Sequence, residues 1–172
     1  MIEINVPPSW PCQGKMQSNT EDPMFKNLLI AIDGSDLGGK ALDAGIELAR
    51  IHEGKLLILT ATDPVSTGIG SGGFGTIDAG HIVARLEENY AAEAKTLLAD
   101  ARSRAEAAGL AAQVLHAPRQ RPADAILATA QDQGIDAIIM GSHGRRGLGR
   151  LLLGSQAAEV LARSPIPVLI VK

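Results

Sequence analysis

The stretch Ile135-Asp-Ala-Ile-Ile-Met-Gly-Ser-His-Gly-Arg-Arg-Gly-Leu-Gly-Arg-Leu-Leu-Leu-Gly-Ser155 passes from an apolar run into a glycine-rich segment and then into a helix-like one. Ile135 to Met140 reads as a buried strand. Glycines follow at 141, 144, 147, 149 and 154, with Arg145, Arg146 and Arg150 and no acid among them. Glycine lets a backbone approach a ligand closely, so successive N–H groups can converge on an anion. A helix beginning at Ser155 would add unpaired N–H groups and the positive end of a dipole. The stretch therefore predicts a strand, a phosphate cradle and a helix, in that order.

Working outward, the same alternation recurs. Leu28 to Ile32 and Leu56 to Thr60 are short, continuous apolar runs, the pattern of strands buried on both faces. Between them, Ser35 or Asp36 can cap a helix whose apolar positions Ala41, Leu42, Gly45, Ile46, Leu48 and Ala49 run to about Ile51, with Gly54 ending it. Residues 63–80 are glycine-rich and predict a long loop, with 66–80 as a flap. Ile82, Leu86, Tyr90, Ala94, Leu97, Leu98, Ala101 and Ala105 predict a long amphipathic helix stopping near Gly109. Ala112 to Ala117 is a third strand. Pro122 suits the first turn of a helix that carries Ile126, Leu127 and Ala130 inward and ends at Gly134. Ser155 to Arg163 is a last helix, and Val168 to Val171 a last strand.

The expected fold is α/β: a single doubly wound domain over residues 25–172, preceded by a flexible N-terminal extension, 1–24, that holds Trp10 and four prolines. In such a sheet ligands sit beyond the C-terminal strand ends, where the strand order reverses. The first strand ends at Asp33 and the fourth at the glycine segment. If those strands are neighbours, both loops face one crevice.

Bulk properties narrow the function. The chain has 172 residues, 45% of them apolar but only 2% aromatic, so the core must be built from Leu, Ile, Val and Ala. A net charge of −3 argues against a general nucleic-acid binder. Cys12 is the only cysteine, which excludes an intramolecular disulfide and suits the cytoplasm. No run of about 18 apolar residues offers a membrane span. His52, His81 and His116 lack metal-ligand spacing, and no metal site is expected. There is no G-x4-G-K-S/T loop, and the G-x-G-x-x-G match at 68–73 opens no helix directly after a strand.

The spacing Gly141, Gly144, Gly154-Ser155 resembles the nucleotide-binding signature G-x2-G-x9-G-S/T of the universal stress protein family. The likeness runs from Met24 to Lys172 and includes Leu28 to Ser35 and the closing Ser164-Pro-Ile-Pro-Val-Leu-Ile-Val171. It implies a five-stranded parallel sheet in the order 3-2-1-4-5 and a homodimer through the last strand. It also implies ATP or AMP as ligand, with Mg²⁺ or Mn²⁺ carried on the phosphates. Carried over, the site comprises Asp33 by the ribose and Ala61 at the adenine. Met140, Gly141, Gly144, Arg145, Gly154 and Ser155 would lie along ribose and phosphates. Asp33 suits the first role chemically, because a carboxylate only accepts hydrogen bonds and ribose offers hydroxyl donors.

No assembled base, water-positioning residue or dedicated lysine marks phosphoryl transfer. No catalytic residue is therefore expected, and hydrolysis would be slow or absent, at most a weak ATPase. The expected function is a nucleotide-dependent regulatory or stress-response protein with an unidentified protein partner. The alternatives are a metal-dependent ATPase or nucleotide hydrolase using Asp33, and a partner-binding family member without nucleotide.

Overall fold

The computed structural model describes residues 25–65, 79–144 and 153–172. The extension 1–24, most of the 66–80 flap, and Arg145, Arg146 and Arg150 lie outside the described residues. The elements alternate: β1 (Asn27–Ala31), α1 (Asp36–His52), β2 (Lys55–Thr62), α2 (Ala79–Ala107), β3 (Ala112–Pro118), α3 (Pro122–Asp132), β4 (Ala137–Gly141), α4 (Ser155–Arg163) and β5 (Val168–Val171). The strands form one sheet in the order β3-β2-β1-β4-β5, and every pair is parallel. β1 lies between β2 and β4, so the strand order reverses at β1/β4, the order that the family resemblance implies.

Alternation along the strands divides the core in two. Leu28, Ile30 and Ile32 of the β1 segment join Leu56 and Ile58 of β2 beneath α1 and α2, where Ala41, Leu42, Ala49, Leu98, Ala101 and Ala105 meet them. Leu29 faces the other way, with Leu57, Leu59, Ile138 and Met140, against Ala123, Ile126 and Ala130 of α3 and Ala157 and Val160 of α4. Aliphatic side chains fill both layers, so the shortage of aromatics is met by many small residues packed closely.

One boundary departs from the sequence reading, the start of β4, and the hydrogen bonds show why it and two helix ends fall where they do. Ile135 belongs to the end of α3, not to β4. Its N–H donates to Ala130 O across Gly134, which sits at φ 59°, so the isoleucine seals the helix end and the strand begins at Ala137. Leu110 closes α2 in the same way, donating to Ala105 O beyond Gly109 at φ 81°. At α1 the closing N–H is that of Gly54, bonded to Ala49 O, and the left-handed residue is Glu53 at φ 51°. Gly54 therefore ends α1 by closing it, without taking the left-handed turn. It must be glycine for a separate reason: a Cβ there would stand 2.6 Å from the Phe25 carbonyl oxygen.

Candidate functional site

The site forms at the switch point, from the loop after β1 and the loop after β4. On the first side, Asp33 follows the strand and Gly34 turns the chain at φ 80°. The Asp33 carboxylate Oδ1 accepts from the Ser35 N–H at 3.0 Å and from the Ser35 hydroxyl at 2.6 Å. Ser35, not Asp36, is the N-cap of α1, its Oγ accepting from the Gly38 N–H at 3.1 Å. The first turn of α1 and the carboxylate are thus built as one unit.

On the second side, Gly141 is the last residue of β4 and pairs with Val171. A Cβ at 141 would lie 3.0 Å from the Cβ of Leu37 and 3.1 Å from its carbonyl carbon, so α1 crosses directly over this glycine. Ser142 is buried, and its N–H donates to Val171 O at 2.8 Å. Its carbonyl accepts from the Gly154 N–H at 2.8 Å, and its hydroxyl is hydrogen-bonded to His143 Nδ1 at 3.1 Å. Gly154, with extended backbone, is the N-cap of α4, and no side chain caps that helix. Ser155 is therefore the first helical residue and not the cap, which corrects one of the two roles the sequence offers it.

The two sides meet. A Cβ on Gly144 would stand 2.6 Å from Asp33 Oδ2. Protein atoms thus crowd all three glycines: the Asp33 carboxylate at Gly144, the Ser142 carbonyl at 3.0 Å from a Cβ on Gly154, and Leu37 at Gly141. From the sequence, the reason offered for Gly144 and Gly154 is that a side chain there would intrude on the phosphates of a ligand.

Of the remaining predicted positions, Met140 has its side chain buried in the layer under α3 and α4. Only its backbone is left to face a ligand. Ala61 is half-buried near the end of β2, on that same layer, paired with Ala117. Arg145 is outside the described residues. Sequence reasoning missed Ser35 as the partner of Asp33, and missed Leu37 and Ser142. The Asp-x-Ser spacing is a local turn signal that points to Ser35, whereas no signal in the chain brings Leu37 to Gly141.

A separate cleft of about 370 Å³ lies across the sheet, on the α2 layer, lined in part by Thr62, Glu87, Tyr90, His116 and Arg119. Thr62 and His116 hydrogen-bond there, Oγ1 to Nε2 at 3.0 Å, and burial lowers the His116 pKa below the usual histidine value. Alternation puts Thr62 on the face opposite Ala61. Among the described residues no three His, Cys, Asp or Glu side chains converge as metal ligands, and no helix is long and apolar enough to cross a membrane.

A doubly wound sheet with an acid after β1 and a Gly-x2-Gly-x9-Gly-Ser segment after β4 defines a class, and sequence comparison gives it a name. The sequence model described as "Universal stress protein family" matches residues 24–172, and the chain belongs to that family. Universal stress protein YxiE of Bacillus subtilis is 35% identical over 150 residues, which span 87% of this chain and 100% of that relative. Among solved structures, universal stress protein UspA from Lactobacillus plantarum shares the fold with a TM-score of 0.75 at 20% identity, over 87% of this chain and 99% of that one. A universal stress protein solved in complex with cAMP matches with a TM-score of 0.62 at 27% identity, over 86% of this chain and 97% of its own.

Proposed function

We propose that this chain binds an adenine nucleotide, ATP or AMP, as a regulatory protein of the cytoplasmic stress response, with hydrolysis slow or absent. The observation that carries the reading is the meeting of Asp33 and Gly144 at the switch point. An acceptor-only carboxylate there suits ribose hydroxyls, and the uncapped N-terminus of α4 beside it suits phosphate oxygens. The cAMP complex of a relative at 27% identity supports the same ligand class. In this reading Asp33 receives the ribose and Ala61 lies at the adenine. The backbone at Met140, Gly141, Gly144 and Gly154, the Ser155 hydroxyl and Arg145 serve ribose and phosphates, with Mg²⁺ or Mn²⁺ on the phosphates. The nucleotide state would be read by a protein partner and by a homodimer formed at β5.

Titration of the full chain with ATP and AMP by calorimetry tests the reading. Asp33→Ala is expected to weaken ATP binding by about tenfold or more, the loss of hydrogen bonds to a charged acceptor. Failure of the wild-type chain to take up either nucleotide would overturn it. Asp33→Ala is the better probe than valine at Gly154, because a Cβ at Gly154 already meets the Ser142 carbonyl of the protein itself.

A further inference from the structure

We propose that the cleft under the first half of α2 is a second binding site, for a small alkyl ammonium compound. It is independent of the nucleotide reading. α2 changes character along its length. From Ala94 onward the helix lies on the sheet, with Ala94, Leu98, Ala101 and Ala105 at most 5% exposed. Between residues 80 and 93 only Val83 and Glu87 are partly covered. The first half of the helix therefore stands off the ends of β2 and β3. The cleft of about 370 Å³ lies beneath it, within the size range of small-molecule sites.

The helix turns one face to this space. Ala84, Glu87, Glu88 and Ala91 recur at three- and four-residue spacing along it, two small residues flanking two acids. Opposite them the floor is held in place. Thr62 Oγ1 and His116 Nε2 are hydrogen-bonded at 3.0 Å. The Gln120 N–H donates to the Thr62 carbonyl at 3.0 Å, which ties the turn after β3 to the end of β2. Pro118 and the ring of Tyr90 add apolar surface to that of the two alanines.

The charges select the ligand. Asp63, Glu87 and Glu88 line the cleft against a single base, Arg119. Arg119 Nε stands 3.9 Å from Glu87, too far for a hydrogen bond, so that pair is loose. Asp63 and Glu88 have no ion-pair partner among the described residues. Burial lowers the His116 pKa below the usual histidine value, so at neutral pH the ring adds no positive charge. The cleft thus favours a cation over an anion. Among the described residues these carboxylates do not converge as metal ligands do. The cation that fits carries its charge on a chain, with methylenes along the alanines and Pro118 and the ammonium at a carboxylate or over the face of Tyr90.

Tyr90 is the only tyrosine of the chain, so the cleft holds its own reporter. The test titrates the full chain, labelled in its tyrosine ring, with 1,4-diaminobutane and follows the ring signals by nuclear magnetic resonance. A saturable shift is expected, with a dissociation constant of about 1 mM or tighter. 1,4-Butanediol and succinate, neutral and anionic compounds of the same chain length, are expected to give none. Glu88→Gln and Asp63→Asn, at exposed positions that leave the fold intact, are each expected to weaken binding about twofold to fivefold. Glu47→Gln, an exposed carboxylate of α1 outside the cleft, is expected to leave it unchanged. If the cleft variants weaken binding no more than Glu47→Gln does, the diamine is held by general surface charge and the proposal is overturned. A butanediol shift equal to that of the diamine, or no saturable shift in the wild type up to about 10 mM, overturns it as well. None of these results bears on nucleotide binding, which ATP and AMP titration measures separately.

Discussion

At the scale of the residue, Glu53 and Gly54 show how two demands settle on adjacent positions. A helix end of this type favours glycine at the left-handed position, yet the glycine stands one residue later. Gly54 is held there by the Phe25 carbonyl, and its N–H is bonded to Ala49 O, so the left-handed turn falls to a glutamate. Left-handed backbone costs a residue with a Cβ about 1 kcal/mol. Glu53→Gly is therefore expected to stabilise the fold by about 0.5 to 1 kcal/mol, read as a rise in the urea midpoint with unchanged slope. Gly54→Ala is expected to do the reverse and more strongly, because the Cβ meets backbone and not a side chain that can swing aside. The glycine was legible in the sequence as the end of α1. Its reason was not, since the Phe25 carbonyl approaches only once β1 and β2 pair.

Among the elements, α4 heads the phosphate side of the proposed site, and α3 packs against it. α3 begins at Pro122 with no side chain of its own as cap, and the Ala123 N–H is satisfied by Gln156 Oε1 of α4 at 2.9 Å. Arg121 pairs with Glu159 at 2.9 Å, and Arg163 bridges Asp124 at 2.8 Å and Glu159 at 2.6 Å. The arginine pairs are exposed enough that each is worth little. The Gln156 bond is different, because it satisfies a half-buried amide that otherwise has no partner in its own helix. Gln156→Ala is expected to lower stability by about 1 kcal/mol in chemical denaturation, and Arg163→Ala by less than half of that. The bounds of α4 were legible from Ser155 to Arg163, and those of β5 from Val168 to Val171. Which side of α4 faces inward was less so. Of its apolar positions Ala158, Val160 and Leu161, only Val160 is buried, joined by Ala157. In a nine-residue helix with apolar residues on several sides, the choice depends on the sheet beneath it.

The whole molecule is a sheet with two unequal edges. The alternation of strands and helices was legible because most strands are continuous apolar runs, whereas the strand order came only from the resemblance to the universal stress protein family. The crevice was expected on the condition that β1 and β4 are neighbours, and they are. What the sequence could not supply is the contact that closes the crevice, Asp33 against Gly144, because it depends on the path of a loop and not on any periodicity. At the β5 edge, Leu169 stands 46% exposed on a strand with one side unpaired. An exposed apolar edge strand invites pairing with another chain, in keeping with the proposed homodimer. Leu169→Lys is expected to shift the chain from dimer to monomer at micromolar concentration, as read by light scattering after size exclusion. A wild-type chain already monomeric at high micromolar concentration would sink that arrangement.

Ser142 takes part in both the edge and the crevice. Its N–H is bonded to Val171 at the end of β5, and its carbonyl to Gly154 at the head of α4. A displacement of the edge strand on the proposed self-association would act on the turn at Gly154 through one peptide unit on either side of Ser142. Coupling of this kind obeys thermodynamic reciprocity: by whatever factor pairing of two chains alters their hold on a ligand, the ligand alters the pairing by the same factor. A cell could then read the occupancy of the crevice as a change in the size of the particle, with no bond in the ligand broken.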